Sequence, residues 1–315
     1  MAIKMKYPFV SVIVASFNRR GWLEKCLPYL KKLNYPENKF EVIVVDDGST
    51  DGTTDFIKKK FSWVKTVSLA KNSGAAIAKN VGIENSKGEY FYFLDSDAVP
   101  KEDALIELVK VAEGDGNIGV CGSKVVNEHD NKIQTAGDYL GAFGQLIHRG
   151  MNEKDIGQFN KTEEVFSFPS CGLLAKKKVL KKMKYPFDPA YFIYYEDNEF
   201  CWRVRLLGYK VVFVPASVVC HRGVHSLEDI KPISIYRTYR NKMWSFRKNF
   251  RFPLKQILLF PVSLTVLFGI AYWASKKKWH YGLSVFKHLF DEVNEGIDID
   301  KISLKKQLSV LSLKF

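Results

Sequence analysis

From residue 10 to residue 122 the chain alternates short apolar runs with stretches whose apolar positions recur every three or four residues. VSVIVAS (10–16), FEVIVVDD (40–47), VKTVSL (64–69), YFYFLD (90–95) and IGVCG (118–122) read as strands, because β-branched and aromatic residues follow one another without a helical period. WLEKCLPYLKKL (22–33), TTDFIKKKF (53–61), AAIAKNVGIENS (75–86) and EDALIELVKVAEG (102–114) lie between them. Each presents one apolar face and reads as a helix, the first with Pro28 as an irregularity. Apolar strands separated by amphipathic helices predict an α/β fold with a mostly parallel sheet covered on both faces.

In such sheets ligands bind beyond the carboxyl ends of the strands. Polar triplets stand at four consecutive ends: Ser16-Phe17-Asn18, Asp46-Asp47-Gly48-Ser49, Asn72-Ser73-Gly74 and Asp95-Ser96-Asp97. Turn chemistry alone accounts poorly for four such switches, so they read as one site. From 127 to 169 the pattern weakens and glycines stand at 137, 141, 144, 150 and 157, which predicts irregular strands and a long loop. A second constellation follows in YPFDPAYFIYYEDNEFCWRVRLLGYKVVFVP. There Glu196 and Asp197 open a helix that Gly208 closes, and the strand KVVFVP leads on to His221. Acids in a first helical turn have a structural explanation in the helix dipole. Here, however, they follow the aromatic run YFIYY, which suits a pocket wall better than a solvated helix start.

Charge changes the picture at the C-terminal end. The formal net charge is +14, and residues 231–290 hold twelve Lys or Arg and no acid, so this block supplies +12 of it. A block of this kind suits an anionic surface, and no nucleic-acid motif accompanies it. Residues 256–275 run without a charge for about the length that crosses a bilayer. Both flanks are basic, which opposes a simple crossing and favours a helix lying in, or dipping into, an anionic cytoplasmic leaflet. A core helix of a C-terminal bundle, or a homo-oligomer contact, is the alternative. The N-terminal run YPFVSVIVASF is short and β-branched and reads as a first strand, so no signal peptide is expected and the catalytic part is placed on the cytoplasmic face of the membrane. The five scattered cysteines form no CxxC pair and read as free thiols, mostly buried, in a reducing compartment.

Two carboxylates and a histidine make an oxygen-rich site for Mg²⁺ or Mn²⁺, and a separate carboxylate is free to deprotonate an acceptor hydroxyl. Asp95, Asp97 and His221 fit the first role and Asp197 the second. The motifs VSVIVASFNR, VVDDGSTDGT, NSGAAIAKNVG, FLDSDAVP and YYEDNEFCWRVRLLGY occur in the order and spacing of the family-2 inverting glycosyltransferases with the GT-A (Rossmann-like) fold. The chain resembles that family over about residues 8–225, in the manner of its rhamnosyltransferase-like and polyprenol-linked glycan-assembly members.

The resemblance implies a catalytic domain over 1–230 and a basic, hydrophobic, helical C-terminal region over 231–315. It implies that Ala15, Ser16 and Phe17 line the nucleoside pocket and that Asp46, with Asp47, meets the base. Lys79 would reach the diphosphate as a point charge. Asp95, with Ser96 beside it, would touch the ribose or the metal, while Asp97 and His221 ligate the metal. Asp197 would be the general base, shaped by Glu196, and the segment at Cys171 and Gly172 would border the acceptor site. The donor would be a nucleoside-diphosphate sugar and the acceptor a glycan or polyprenol-linked glycan. Two other readings stay open: a haloacid dehalogenase-type phosphatase, because DSDAV fits its signature, and a non-catalytic sugar-nucleotide-binding membrane scaffold.

Overall fold

The computed structural model describes residues 7–141, 145–222, 232–251, 263–264, 267, 271 and 302–309. Strands β1 (Val10–Ser16), β2 (Phe40–Asp46), β3 (Lys65–Ser68) and β4 (Tyr90–Asp95) form where the apolar runs lie and pair in parallel in the order β4-β1-β2-β3. Helices α1 (Arg20–Leu30), α2 (Thr53–Lys60), α3 (Ala75–Glu84) and α4 (Ala104–Gly114) alternate with them, and Pro28 lies inside α1. The short β5 (Ala98–Pro100) follows β4 directly, and β6 (Ile118–Asn127) follows α4.

Both faces of the sheet are covered because the side chains alternate. Val10, Val12, Val14, Tyr90, Tyr92 and Leu94 point to one core with Leu23, Leu27, Leu105 and Leu108. Ile13, Phe91 and Phe93 point to the other with Ala76, Phe200 and Val204. Each fully buried Val, Leu, Ile or Phe among them contributes about 1.5–3 kcal/mol relative to exposure.

The region after residue 127 holds short strands: β7 (Ile133–Thr135), β8 (Asp138–Leu140), β9 (Leu146–His148) and β10 (Glu163–Glu164). The chain then returns through β11 (Leu173–Lys176), which inserts antiparallel between β4 and β6. Strand direction leaves no trace in apolar periodicity, so this reversal is a tertiary fact. After α5 (Lys177–Leu180) comes α6 (Glu196–Leu206), opening at the two acids. Strand β12 (Lys210–His221) runs parallel to β6, with an irregularity between Val214 and Val218 that carries it past KVVFVP as far as His221. There it pairs with β5, His221 opposite Ala98, so the histidine arrives beside Asp97.

Helix α7 (Pro232–Asn249) lies beyond the boundary expected at 230 yet packs on α6. The Trp202 ring meets Phe246 and Phe250 edge-on, at 4.9 and 5.2 Å between centroids. Lys248 Nζ is buried between Asp188 (2.6 Å) and Glu199 (3.2 Å). The segment α8 (Leu304–Ser309) returns to this end, where Gln307 accepts from the Arg251 N–H. Among the described residues no helix is long and apolar enough to cross a membrane. The apolar segment 256–275 lies almost wholly outside the described residues. The five cysteines are free, and four of them are buried.

Candidate active site

The site is assembled at the carboxyl ends of β1, β2 and β4, where apolar strand gives way to polar loop. Ala15 sits beside Asp95 and Ser16 beside Asp46 in the parallel register. Ala15 is half-buried and Phe17 is exposed. The Ser16 hydroxyl is buried without a hydrogen-bond partner in the structure, an unsatisfied group at the end of the strand. Ser96 is buried in the turn that follows β4.

Asp46 and Asp47 hold the loops around them. Asp46 accepts from the Ser49 N–H at 3.0 Å and from the Thr54 hydroxyl. Asp47 accepts from the N–H groups of Ser73 and Gly74, at 2.7 and 2.8 Å, and so ties the second loop to the third. Burial raises the Asp47 pKa against those two donors. Each carboxylate accepts two such bonds and keeps lone pairs for a further donor.

Asp95, Asp97 and His221 converge as their sequence positions only hinted. His221 Nε2 lies 3.2 Å from Asp97 Oδ1 and 3.6 Å from Asp95 Oδ2. Burial opposes charge on both Asp97 and His221. Their mutual hydrogen bond and charge prevail, holding Asp97 below the usual carboxylate range and raising His221. Asp95 is raised by burial, against the pull of His221 and Lys79. The Cys171 Sγ also faces this group: one ligand atom each from Asp95, Cys171 and His221 lie within 4.8 Å of one another. Burial, then Asp95 and Asp97, push that thiol well above its ordinary pKa. Two carboxylates and an imidazole suit a hard divalent cation, so these residues fit Mg²⁺ or Mn²⁺.

Near them stands a second cluster, close enough for the Asp95 charge to act on Lys79 and Asp197. Lys79, on α3, is buried against Glu196 (Nζ to Oε1, 2.7 Å) and the Ser170 hydroxyl. Its ammonium is therefore engaged inside the protein, where burial disfavours its charge but Glu196, Asp197 and Asp95 together raise its pKa. Asp197 is half-buried and accepts from the backbone N–H of Ser170 (2.9 Å) and of Asn198 (2.8 Å). Burial raises its pKa, Lys79 and those donors opposing, which moves a carboxylate toward the range of a working base. Glu196 is raised by burial as well, with Lys79 opposing.

The backbone just before α6 is strained. Phe192, Tyr194 and Tyr195 all have positive φ, at 64°, 69° and 72°, a region costly for bulky side chains. Asn241 of α7 holds this turn: its Nδ2 donates to the carbonyls of Tyr191, Ile193 and Tyr194 at 3.0, 3.1 and 2.6 Å. Phe192 reaches the third loop as well, its carbonyl accepting from Ala76 N–H. Gly74, at φ 95°, admits it, since a Cβ there would lie 2.5 Å from the Phe192 carbonyl oxygen.

Sequence reasoning missed Ser170, Asn241 and a buried network beside Asp197. In that network Asp138 accepts from His148 Nδ1 (2.7 Å), Thr135 Oγ1 (2.9 Å) and Asn198 Nδ2 (3.1 Å). All lie where periodicity is weak or in another element, and no local signal marks them.

Comparison with known proteins agrees with this geometry. Residues 11–184 match the family model for glycosyl transferase family 2. Glycosyltransferase AglE of Haloferax volcanii is 27% identical over 273 residues, 84% of this chain and 80% of that one. A Methanococcus voltae dolichyl N-acetyl-α-D-glucosaminyl phosphate 3-β-D-2,3-diacetamido-2,3-dideoxy-β-D-glucuronosyltransferase is 24% identical over 270 residues, 80% of this chain and 81% of its own. The solved mannosyltransferase PcManGT from Pyrobaculum calidifontis, in complex with GDP-Man and Mn²⁺, shares the fold at TM-score 0.59 and 18% identity, covering 91% of this chain and 88% of that one. The phosphatase reading of DSDAV is set aside by these matches. With the family model spanning over half its length and the GT-A fold built around the site, the chain belongs to glycosyl transferase family 2.

Proposed function

We propose that the enzyme moves a sugar from a nucleoside-diphosphate sugar to a hydroxyl of a lipid-linked or cell-surface glycan, inverting the anomeric carbon. The observation that carries this reading is the closeness of two clusters, Asp95-Asp97-His221 and Asp197, the Asp95 charge acting on Asp197. Asp95, Asp97 and His221 would hold a divalent cation, which when bound neutralises charge on the departing diphosphate. Asp197 takes the acceptor proton as the hydroxyl oxygen bonds to the anomeric carbon and the bond to the nucleoside diphosphate breaks on the opposite face. Ser170 and Asn198 hold its oxygens in place. The exposed Phe17 supplies an aromatic contact for the nucleoside at the end of β1.

The acceptor class is supported by the M. voltae relative, whose name specifies a dolichyl-phosphate-linked sugar. It is also supported by the basic, apolar C-terminal block, which in this reading rests on an anionic cytoplasmic leaflet. The catalytic unit in this reading runs through α7 to about residue 250, because Lys248 and Phe250 are part of its core.

A thermal-stability screen of the full chain with UDP-, GDP- and dTDP-sugars, with and without Mn²⁺, tests the donor reading. A donor at 100 times its dissociation constant adds about 2.7 kcal/mol. Metal-dependent stabilisation by one of them, lost in Asp97→Ala, is the expected result, and stabilisation by none of them overturns it. Hydrolysis of the bound donor by the purified protein separates an enzyme from a sugar-nucleotide-binding scaffold.

A further inference from the structure

We propose that Gln134 is a positioning residue that fixes the ring of His221 so that Nε2 is the nitrogen offered to a cation. The proposal rests on the reading of His221 as a metal ligand. Gln134 lies at the centre of β7, which pairs antiparallel with the end of β6, and β6 in turn pairs with the end of β12 at His221. This two-strand relay brings a side chain 87 residues away in sequence onto the histidine.

The geometry leaves one arrangement of hydrogens. Gln134 Nε2 lies 2.8 Å from the His221 carbonyl oxygen, which can only accept, so the amide NH₂ must face it. The amide oxygen is then the atom that faces His221 Nδ1, at 2.8 Å, and it too can only accept. Nδ1 must therefore carry a hydrogen. The other nitrogen, Nε2, is the one beside Asp97 and Asp95. A cation entering there takes the place of the hydrogen that Nε2 shares with Asp97 and would meet Nε2 as a lone-pair donor, while Gln134 retains the hydrogen on Nδ1 and holds the plane of the ring. Because one amide grips both the backbone carbonyl and the ring of the same residue, the imidazole plane is set before any ligand arrives. Outer partners of this kind set ligand basicity and orientation, and losing one costs about 10–100-fold in metal affinity.

The test uses the full chain and Mn²⁺ alone, followed by EPR titration of free Mn²⁺, in the parent, Gln134→Leu, His221→Ala and the double variant. Gln134→Met, unbranched and of similar length, serves as the second variant if leucine disturbs β7. Gln134→Leu is expected to weaken Mn²⁺ binding about 10–100-fold. The double variant is expected to bind no more weakly than His221→Ala alone, because Gln134 acts through the histidine. Parent-like binding in Gln134→Leu and Gln134→Met overturns the proposal. So does an equal loss in both backgrounds, which leaves His221 a ligand but assigns Gln134 another effect. Unchanged affinity in His221→Ala removes the ligand reading itself, and this inference with it.

Discussion

Lys79 and Glu196, 117 residues apart in sequence, form an ion pair with Nζ 2.7 Å from Oε1 and side chains only 6% and 4% exposed. The pair joins α3 to the first residue of α6 and so fixes the position of Asp197, the next residue. Removing one partner of a buried pair leaves the other charge uncompensated, at a cost of about 3–5 kcal/mol. Lys79→Met is therefore expected to lower unfolding stability by that order in urea titration. A loss below about 1 kcal/mol, the worth of an exposed pair, would show that the ammonium is solvated and free to reach a donor instead.

Asp197→Asn keeps size and, through its single carbonyl oxygen, one of the two contacts with the Ser170 and Asn198 N–H groups, but removes the base. Transfer is expected to fall about 10²–10⁴-fold, the usual contribution of a positioned base. Donor affinity should stay near the parent value. Comparing kcat with the donor Kd from calorimetry checks both at once, and retained turnover would move the role to Glu196.

Asn241→Ala tests the turn that presents the catalytic acids. Three carbonyls lose their shared donor, and leaving buried polar groups unsatisfied costs about 1–3 kcal/mol. Residues 192–195, held at positive φ, are then expected to relax, lowering kcat while Mn²⁺ affinity is kept. A variant that loses stability but turns over at the parent rate would confine Asn241 to a structural role.

Glu199 links stability to pH. Burial raises its pKa, but Arg203 and Lys248 outweigh burial and hold it below the usual value. A depressed folded pKa contributes stability that is complete above the unfolded value, about 4.3 for Glu, and is lost as pH falls through the folded value. The Tm gap between the parent and Glu199→Gln should thus be widest near neutral pH and close below about pH 4. A gap independent of pH would mean that the pair carries no such linkage.

A chain ending at Arg251 keeps the packing of Trp202 on Phe246 and Phe250 and should still bind donor. It should lose sedimentation with anionic liposomes, toward which each nearby Lys or Arg adds about 1 kcal/mol. Equal sedimentation of the full and shortened chains would assign the basic block to oligomerisation instead.

The sequence by itself determined the elements of the first half. Apolar runs and amphipathic periods respond to local burial, so β1 to β4 and α1 to α4 lie within a few residues of where the pattern puts them. The polar loop ends were legible for the same reason, since a strand that stops being apolar has reached the edge of its sheet. Only the tertiary structure decided what the site residues touch. The reversed direction of β11, the extension of β12 to His221 and the insertion of α7 beneath residues 191–195 depend on pairings between distant segments, which leave no periodic trace. Asp46, Asp47 and Lys79 show the consequence: in the fold nearby donors and a buried carboxylate engage them, contacts that their residue types did not announce. Gln134 and Asn241 show the converse, ordinary amides in unremarked positions that acquire roles because a carbonyl or ring from another element is brought within hydrogen-bonding reach.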